Sequence, residues 1–479
     1  MKAIVAAGHH LVAEAAMTML AEGGNAFDAA VAAGFMAAMA EPGLTSLGGG
    51  GFLLAQPAQG EATLFDFFSD TPGIGLSGPT EPHFYPVTIG FSGSEQDFHV
   101  GRGSVAVPGC LAGYLHVHQR LGRLPLARVV APAREAAGQG VVVTEQQAHF
   151  FTLLEPILTM SPAGQRIYAA QGRLIRAGER LHNHDYAGFL ESLAREGQEA
   201  SFYQGGLAAR IAQDMRQGDG LLTAQDLGQY RVLERQPLRS SYRGKNLLCN
   251  PPPSMGGTLL AQALSLLESY DLAEMEFGSA DHLLAHAQVM AQVEESRKRP
   301  QCSRGTTHVS IADHEGNLAA MTTSNGEGSG YIVPGSGIML NNMMGEDDLH
   351  PDGFHAHSPG QRVASMMCPA VVMAGQRPLL VLGSGGSKRI RTAIGQVISH
   401  LLDFNLDIET AVTTPRLHFD GEVVQIEPGW PAESVRELAK NFPVNLWQKK
   451  GVYFGGVHGV AVGQAGGGDP RRGGCWLSA

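Results

Sequence analysis

The chain has 479 residues, 43% of them hydrophobic and 16% charged, with a net charge of −11, a composition typical of a globular protein with a large core. Its longest basic run covers only residues 297–299, which argues against a nucleic-acid partner. No segment has 18 continuous apolar residues, and the first ten residues hold too short an apolar run for a secretory signal, so we expect a cytoplasmic protein with no membrane partner.

The first forty residues predict two alanine-rich helices. They are interrupted at Gly23-Gly24, and Asn25 is a suitable cap for the second helix. Four glycines at 48–51 then lead into two strands, FLLAQP and ATLFDFF. Glycine runs can bind phosphate, but no GxxxxGK[ST] motif follows, so a tight turn is the favoured interpretation.

Residues 109–290 predict mainly helices. Apolar residues recur at helical spacing in LAGYLHVHQRL, ARVVAPAREAA and LLAQALSLLESY, and the segment PPPSMGG before the last of these predicts a stiff, non-helical loop. From residue 306 the pattern changes to strands, in THVSIAD, LAAMTTS, GIMLNN, AVVMAG and PLLVLGS. Helices followed by strands favour a layered α/β domain.

The segment THVSIADHEGNLAAMTTS predicts a β-hairpin with its turn at residues 314–317. Its threonines have two interpretations. They suit a strand because they are β-branched, and spacing alone favours that view. Alternatively, a cut between Gly305 and Thr306 would make Thr306 a chain terminus, whose α-amine, with a pKa of about 7.7–8.0, could serve as base for its own hydroxyl.

The histidines give weaker signals. His350, His355 and His357 lie close to Asp347 and Asp348, but no HExxH helix accompanies them, so we expect no metal site. His308 lies two residues after Thr306 on the same strand face, where a structural role is favoured. The five cysteines are scattered and form no CxxC pair, which predicts reduced structural thiols.

Over nearly its whole length the chain resembles the γ-glutamyltranspeptidase family of N-terminal-nucleophile hydrolases. Eight segments in the family's order carry the resemblance: GGNAFDAAVAA, EPGLTSLGGGGFLL, SVAVPGCLAGYLHVHQRLGRLPL, DLGQYRVLERQPLRSSYRG, PPPSMGG, TTHVSIADHEGN, GSGIMLNNMM and GSGGSKRI.

The resemblance implies an α/β fold, a four-layer αββα sandwich, that cuts itself between Gly305 and Thr306. Residues 1–305 would form the large subunit and residues 306–479 the small catalytic subunit of one domain. Thr306 would be the nucleophile, Ser324 a second hydroxyl bonded to it, and Gly385 and Gly386 the oxyanion donors, with no cofactor.

The segments that bind the γ-glutamyl group depart from the family pattern. Met343 and Met366 replace polar binders, whereas Ser365 remains and Glu346 could substitute for the family's aspartate and hold an ammonium. The family's arginine has no clear match, and Arg102 is the nearby candidate. Asn325 and Glu327 offer a different polar set, although Glu327 could also be a solvated loop acid.

The first functional hypothesis is hydrolysis or transfer of the γ-glutamyl group of amides such as glutathione, to water or to an acceptor amine. A second keeps this mechanism for a less zwitterionic acyl donor, because methionines make a more apolar wall. A third is an uncut, non-catalytic homologue that serves as a binding protein.

Overall fold

The structure is a computed structural model that describes residues 1–78, 80–91, 94–196, 202–295, 305–350 and 353–479. The strands within these residues are β1 Ile4–Ala7, β2 Gly50–Gln56, β3 Thr63–Phe67, β4 Tyr85–Phe91, β5 Ser94–Val100, β6 Val141–Val142, β7 Arg180–Leu181, β8 Leu233–Arg235, β9 Leu238–Tyr242, β10 Lys245–Cys249, β11 Thr307–Ala312, β12 Leu318–Ser324, β13 Ile332–Val333, β14 Ile338–Met339, β15 Ala370–Ala374, β16 Arg377–Gly385, β17 Leu417–Phe419, β18 Val424–Ile426, β19 Val444–Leu446, β20 Gly456–Ala461, β21 Ala465–Gly467 and β22 Cys475–Ser478.

The helices lie mostly in the first two-thirds of the chain, as the sequence predicts. They are α1 His10–Ala21, α2 Ala26–Ala40, α3 Cys110–Leu121, α4 Leu126–Gln139, α5 Glu145–Leu158, α6 Pro162–Tyr168, α7 His184–Glu196, α8 Gly206–Gln217, α9 Ala224–Gln229, α10 Met255–Leu267, α11 Ala280–Glu295, α12 Arg389–Leu402, α13 Ile408–Thr413 and α14 Ala432–Leu438. Among the described residues, none of these helices is both long and apolar enough to span a bilayer.

Two antiparallel sheets form the centre of the fold. The first has the strand order β22-β1-β11-β12-β2-β3-β8 and the second the order β21-β20-β16-β15-β10-β9. Helices α1, α2 and α3 pack on the first sheet, and α10, α12 and α13 pack on the second. Because β11 and β12 contact β16 across the interface between the sheets, the layers are helix, sheet, sheet, helix. The predicted αββα sandwich is confirmed.

Helix α2 is buried almost all round and supports the first sheet. Asn25 caps it: its side chain accepts hydrogen bonds from the amides of Phe27 and Asp28, while Asp28 accepts one from the Asn25 amide at 3.0 Å. A Cβ at Gly34 would lie 2.5 Å from the Tyr114 ring, so the small residues of this helix let α3 approach closely. The predicted helix pair and cap are confirmed.

The predicted hairpin is also confirmed, and alternation along it separates two environments. Thr307 pairs with Thr323 and Ala312 with Leu318. Val309 and Ile311 belong to the apolar cluster under the helices, whereas His308 points to the second sheet, where a Cβ at Gly383 would lie 2.3 Å from its ring. Even-numbered side chains therefore face the space between the sheets.

The segment 109–290 is mainly helical, as predicted, and it also contains β9 and β10, which complete the edge of the second sheet; the polar and basic residues of these strands hide the strand pattern. The prediction that PPPSMGG is non-helical needs correction. Helix α10 begins at Met255, so the last three residues of PPPSMGG are helical. A Cβ at Gly257 would lie 2.1 Å from the Asn250 carbonyl oxygen, so close packing of this turn requires glycine there.

Candidate active site

Thr306 lies immediately before β11, at the end of a central strand of the first sheet. It is 5% exposed, and its Oγ1 donates a hydrogen bond to the Gly305 carbonyl oxygen at 2.7 Å. The hydroxyl is thus held against the peptide bond that self-cleavage would break. In this continuous chain the Thr306 nitrogen is an amide, and only a cut at Gly305 would convert it into a free base.

Ser324 lies at the end of β12, beside Thr306 in the same sheet. Its Oγ also contacts the Gly305 carbonyl oxygen, and it accepts a hydrogen bond from the Gly326 amide at 2.9 Å. Two hydroxyls therefore converge on one carbonyl oxygen. The sequence predicted a bond between Ser324 and the nucleophile itself, whereas in the uncut chain the two side chains share an acceptor.

The backbone around the predicted cut is packed so tightly that it requires glycines. A Cβ at Gly305 would lie 2.0 Å from the Gly326 carbonyl oxygen. Gly326 has a φ of 61°, and a Cβ there would lie 2.0 Å from Asn342 Oδ1 and 2.4 Å from Glu346 Oε1. Glycine at position 305 is therefore required by the packing against Gly326.

The predicted glycine pair lies on the opposite sheet, at the end of β16. A Cβ at Gly385 would lie 2.2 Å from the Thr306 carbonyl oxygen, so only glycine allows this approach of the two central strands. Gly386 follows with a φ of 118°, and Ser387 with a φ of 51°. Helix α12 then begins at Arg389, which directs the positive end of its dipole towards the site.

A small cleft opens beside these groups. Four predicted site residues line it: Thr306, Ser324, Glu346 and Ser365. The remainder of its described wall is mainly apolar and comprises Phe68, Met343, Leu349, Met366, Met367, Ser387 and Ile390. Within the described lining the single ionisable side chain is the carboxylate of Glu346.

Comparison with known proteins decides the family. The family model described as Gamma-glutamyltranspeptidase matches residues 12–300 and 285–478. The chain belongs to the γ-glutamyltranspeptidase family. The members of this family are amide hydrolases and transferases, made as proenzymes and processed into two subunits.

Relatives of two kinds are similar to this γ-glutamyltranspeptidase-family chain. The Acylase ACY 1 proenzyme of Pseudomonas sp. (strain SE83) is 32% identical, covering 91% of this chain and 86% of the relative. The Glutathione hydrolase proenzyme of Escherichia coli (strain K12) is 30% identical, covering 90% and 84%. The crystal structure of cephalosporin acylase from Bacillus halodurans superposes with a TM-score of 0.83 at 25% identity, covering 99% of this chain and 95% of that one.

Three further predicted binders lie outside the cleft lining. The Arg102 guanidinium stacks over the Tyr331 ring, 5.5 Å from its centroid, and a Cβ at Gly218 would lie 1.6 Å from Arg102 Nη1. The Arg102 side chain therefore lies against Tyr331 and Gly218 and not in the cleft where a substrate-binding arginine would be needed. Asn325 is buried, and its Nδ2 donates to the Leu340 carbonyl at 3.4 Å.

Glu327 lies directly at the predicted cut. It is 4% exposed, so its interpretation as a solvated loop acid is wrong. Its Oε1 accepts a hydrogen bond from the Gly305 amide at 3.0 Å, and its own amide donates to Asn342 Oδ1 at 3.0 Å. The carboxylate is thus placed to restrain the peptide before the nucleophile rather than to line the cleft.

Sequence reasoning missed two ionisable residues, Glu41 and Arg472, that contact Thr307 and Thr306. Glu41 is buried after α2 and accepts a hydrogen bond from Thr307 Oγ1 at 3.0 Å; burial raises its pKa to about 7. Arg472 donates a hydrogen bond from Nη1 to the Thr306 carbonyl oxygen at 3.0 Å. Glu41 lies in EPGLTSLGGGGFLL, a segment quoted for the family resemblance, whereas Arg472 lies outside the quoted segments, and no local signal marks either residue.

The histidines are placed as structural groups. His308 lies between Thr322 Oγ1 at 2.8 Å and Ser310 Oγ at 2.9 Å, and burial lowers its pKa well below the ordinary value, so the ring is neutral. His350 Nε2 is 2.8 Å from the Met343 carbonyl oxygen. Where the structure describes the chain, no three His, Cys, Asp or Glu side chains are arranged to hold a metal ion; Asp352 of this loop lies outside that part.

Proposed function

We propose that this protein is a self-cleaving amide acylase with Thr306 as its N-terminal nucleophile, acting on acyl donors that are not zwitterions. The observation that carries the proposal is the lining of the cleft. Beside Thr306 and Ser324 it presents Phe68, Met343 and Met366, and its described wall includes neither lysine nor arginine. The similarity to acylase proenzymes supports the same choice.

Maturation would begin with the Thr306 hydroxyl, which already lies 2.7 Å from the Gly305 carbonyl oxygen. Attack by Oγ1 on the carbonyl carbon forms an ester to Gly305 and breaks the C–N bond, while the hydroxyl proton passes to the departing nitrogen and so frees the Thr306 amine. Water then hydrolyses the ester and leaves a Gly305 carboxylate. Ser324 Oγ, in contact with the same carbonyl oxygen, would stabilise the oxyanion of this step.

Turnover would use the same atoms. The freed amine takes the proton of Thr306 Oγ1 while this oxygen attacks the substrate amide carbonyl, and then returns the proton to the leaving amine. The acyl group stays on Oγ1 as an ester until water or another amine takes it. Gly385 and Gly386, with the start of α12 behind them, are the backbone groups best placed to face the developing oxyanion.

The charge of the cleft limits the acyl group. A γ-glutamyl group carries both an ammonium and a carboxylate, and a buried carboxylate needs a cation or several donors. Glu346 can pair with an ammonium but repels a carboxylate, and Met343 and Met366 offer no hydrogen-bond donors. Lys388 follows Ser387 of the cleft in sequence, but it is buried and is not among the described lining residues.

A γ-glutamyl transferase or glutathione hydrolase is the second candidate. Glu346 and Ser365 line the cleft, and the similarity to the Escherichia coli glutathione hydrolase covers nearly the whole chain. The two candidates share every chemical step and differ only in what holds the end of the acyl group.

Four matched anilides separate the candidates. Removing the carboxylate from a γ-glutamyl group leaves 4-aminobutanoyl, removing the amine leaves glutaryl, and removing both leaves butanoyl. We expect kcat/KM to be highest for 4-aminobutanoyl, because Glu346 can pair with its ammonium, and at least tenfold lower for γ-glutamyl. A preference for γ-glutamyl over all three would support the second candidate instead.

Self-cleavage is tested first, by intact mass and by reading the terminus of each fragment. We expect a small fragment that begins Thr306-Thr307-His308, and a Thr306→Ala variant that stays whole. A wild-type chain that remains uncut and turns over none of the four anilides would point to the non-catalytic alternative.

A further inference from the structure

Arg472 is a buried arginine in direct contact with the residue that would become the small subunit's first. It is 4% exposed, and its Nη1 donates to the Thr306 carbonyl oxygen at 3.0 Å. Neither partner precedes the cut, so cleavage leaves this contact in place. The guanidinium therefore belongs to the mature site as much as to the precursor.

Glycines on the second sheet make the space for this side chain. A Cβ at Gly456 would lie 2.3 Å from Arg472 Cδ, and a Cβ at Gly385 would lie 3.2 Å from Nη1. At Gly386 the distance to Nη2 would be 3.5 Å. Two neighbouring strands thus lack side chains where the arginine passes, which fixes its guanidinium under the Thr306 carbonyl.

The surrounding charges leave Arg472 protonated. Burial and the neighbouring Arg389 lower its pKa to about 10, while Asp469, Glu41 and Glu327 oppose that effect. Glu346 lines the same cleft as Thr306, and a Cβ at Gly326 would lie 2.4 Å from its Oε1. Asp469 is already paired with two other arginines, Arg416 at 2.6 Å and Arg471 at 3.2 Å.

Covalent geometry then sets the distance to the base. The carbonyl oxygen and the nitrogen of one residue are about 3 Å apart, so the guanidinium lies within about 6 Å of the Thr306 amine. A like charge at that distance disfavours the protonated amine. We propose that Arg472 is a positioning residue whose charge keeps the freed Thr306 amine unprotonated, and so able to act as base, near neutral pH.

This inference rests on the proposed cut at Gly305, which creates the amine, and it is tested on the amine itself. Carbamylation by cyanate requires the unprotonated form, so its rate at Thr306, read by mass from the terminal peptide of the small fragment, reports the pKa without any substrate. We expect the wild-type pKa near 7, below the ordinary range of about 7.7–8.0. Arg472→Gln should raise it by about one unit, and Arg472→Lys, which keeps the charge, by less than half of that.

The pH dependence of kcat/KM distinguishes this role of Arg472 from a merely structural one. With the best anilide, Arg472→Gln should lower kcat/KM about tenfold at pH 6 and approach the wild type above pH 9. A structural defect would lower it equally at every pH. Arg389→Gln, which removes another buried cation of the same region, should shift the amine less than Arg472→Gln does.

The outcomes are distinguishable. If no fragment beginning at Thr306 forms, the proposed function fails and there is no amine to titrate. If the fragment forms but the wild-type amine titrates at pH 8 or above, or Arg472→Gln leaves it unchanged, the inference about Arg472 is wrong while the function stands. In the Glu41→Gln variant, kcat/KM must still fall as the pH is lowered. If that fall disappears, it is due to titration of Glu41 and not of the Thr306 amine, and the inference is wrong. The titration of the wild-type Thr306 amine tests the inference even if the Arg472→Gln variant does not fold.

Discussion

The carboxylate of Glu327 accepts a hydrogen bond from the backbone amide of Gly305 at 3.0 Å, one residue before the predicted nucleophile. Both groups are buried, so the bond restrains the peptide that the proposed self-cleavage would attack. After a cut, Gly305 would carry a carboxylate close to that of Glu327. The same contact that holds the precursor would then favour departure of the new terminus from the site.

Glu327→Ala is expected to slow self-cleavage about tenfold, because a hydrogen bond to a charged group contributes about 1.5–3 kcal/mol and its loss leaves Gly305 less well placed. Glu327→Gln keeps an accepting oxygen and should cut at nearly the wild-type rate. A time course of intact mass measures both. Equal rates for all three proteins would show that this bond does not position the peptide.

Ser324→Ala is expected to slow self-cleavage by about 10²-fold, since it removes a donor to the Gly305 carbonyl oxygen. Ser324→Thr retains the hydroxyl and serves as the matched control. The measurement is the fraction of uncut chain against time after purification. A Ser324→Ala protein that arrives fully cut would exclude Ser324 from the step.

Met343→Gln is expected to raise kcat/KM for γ-glutamyl anilide about three- to tenfold, because a side-chain amide in the cleft wall can donate to the α-carboxylate. The same change should lower kcat/KM for butanoyl anilide, which loses an apolar contact. The ratio of the two substrates is therefore the measurement. A proportional fall for both would indicate damage to the fold rather than a change of specificity.

Glu41 predicts a pH dependence of stability. Burial raises its pKa from 4.5 to about 7, so the folded protein binds more protons than the unfolded chain between those values. The contribution is fully present below about pH 4.5 and is lost as pH rises through about 7. We expect the free energy of unfolding of Glu41→Gln, relative to the parent, to rise by up to about 3 kcal/mol between pH 5 and pH 8.

Denaturant unfolding at pH 5 and at pH 8 measures this difference. Both proteins should also carry Thr306→Ala, because that chain is expected to stay uncut. Glu14→Gln, at an exposed position of α1, is the matched control and should show no such trend. A Glu41→Gln difference that is constant with pH would mean that Glu41 is ionised throughout.

Much of the fold could be predicted because its signals are local. The hairpin of β11 and β12 follows from alternating β-branched residues around a turn at residues 314–317, and the cap of α2 from Asn25 followed by Asp28. Strand β10 was missed because it begins with two polar residues, Lys245 and Asn246, and ends in three consecutive buried residues, so its five residues show no alternation. The local pattern also identified the Gly305–Thr306 bond as a possible cleavage site. It could not distinguish a nucleophilic Thr306 from an ordinary β-branched strand residue.

By itself, then, the sequence determined the family, most of the helices and the central hairpin, and it indicated Thr306 as the candidate nucleophile and Met343 and Met366 as departures from the family pattern. Only the tertiary structure decided what surrounds Thr306. Arg472 reaches its carbonyl from 166 residues away, and Glu41 reaches Thr307 across 266. Such contacts depend on the order of the strands and on which faces of two sheets meet. These long-range contacts produce no periodic pattern in the sequence, because the local pattern of each segment reflects only the helix, strand or turn that the segment itself forms.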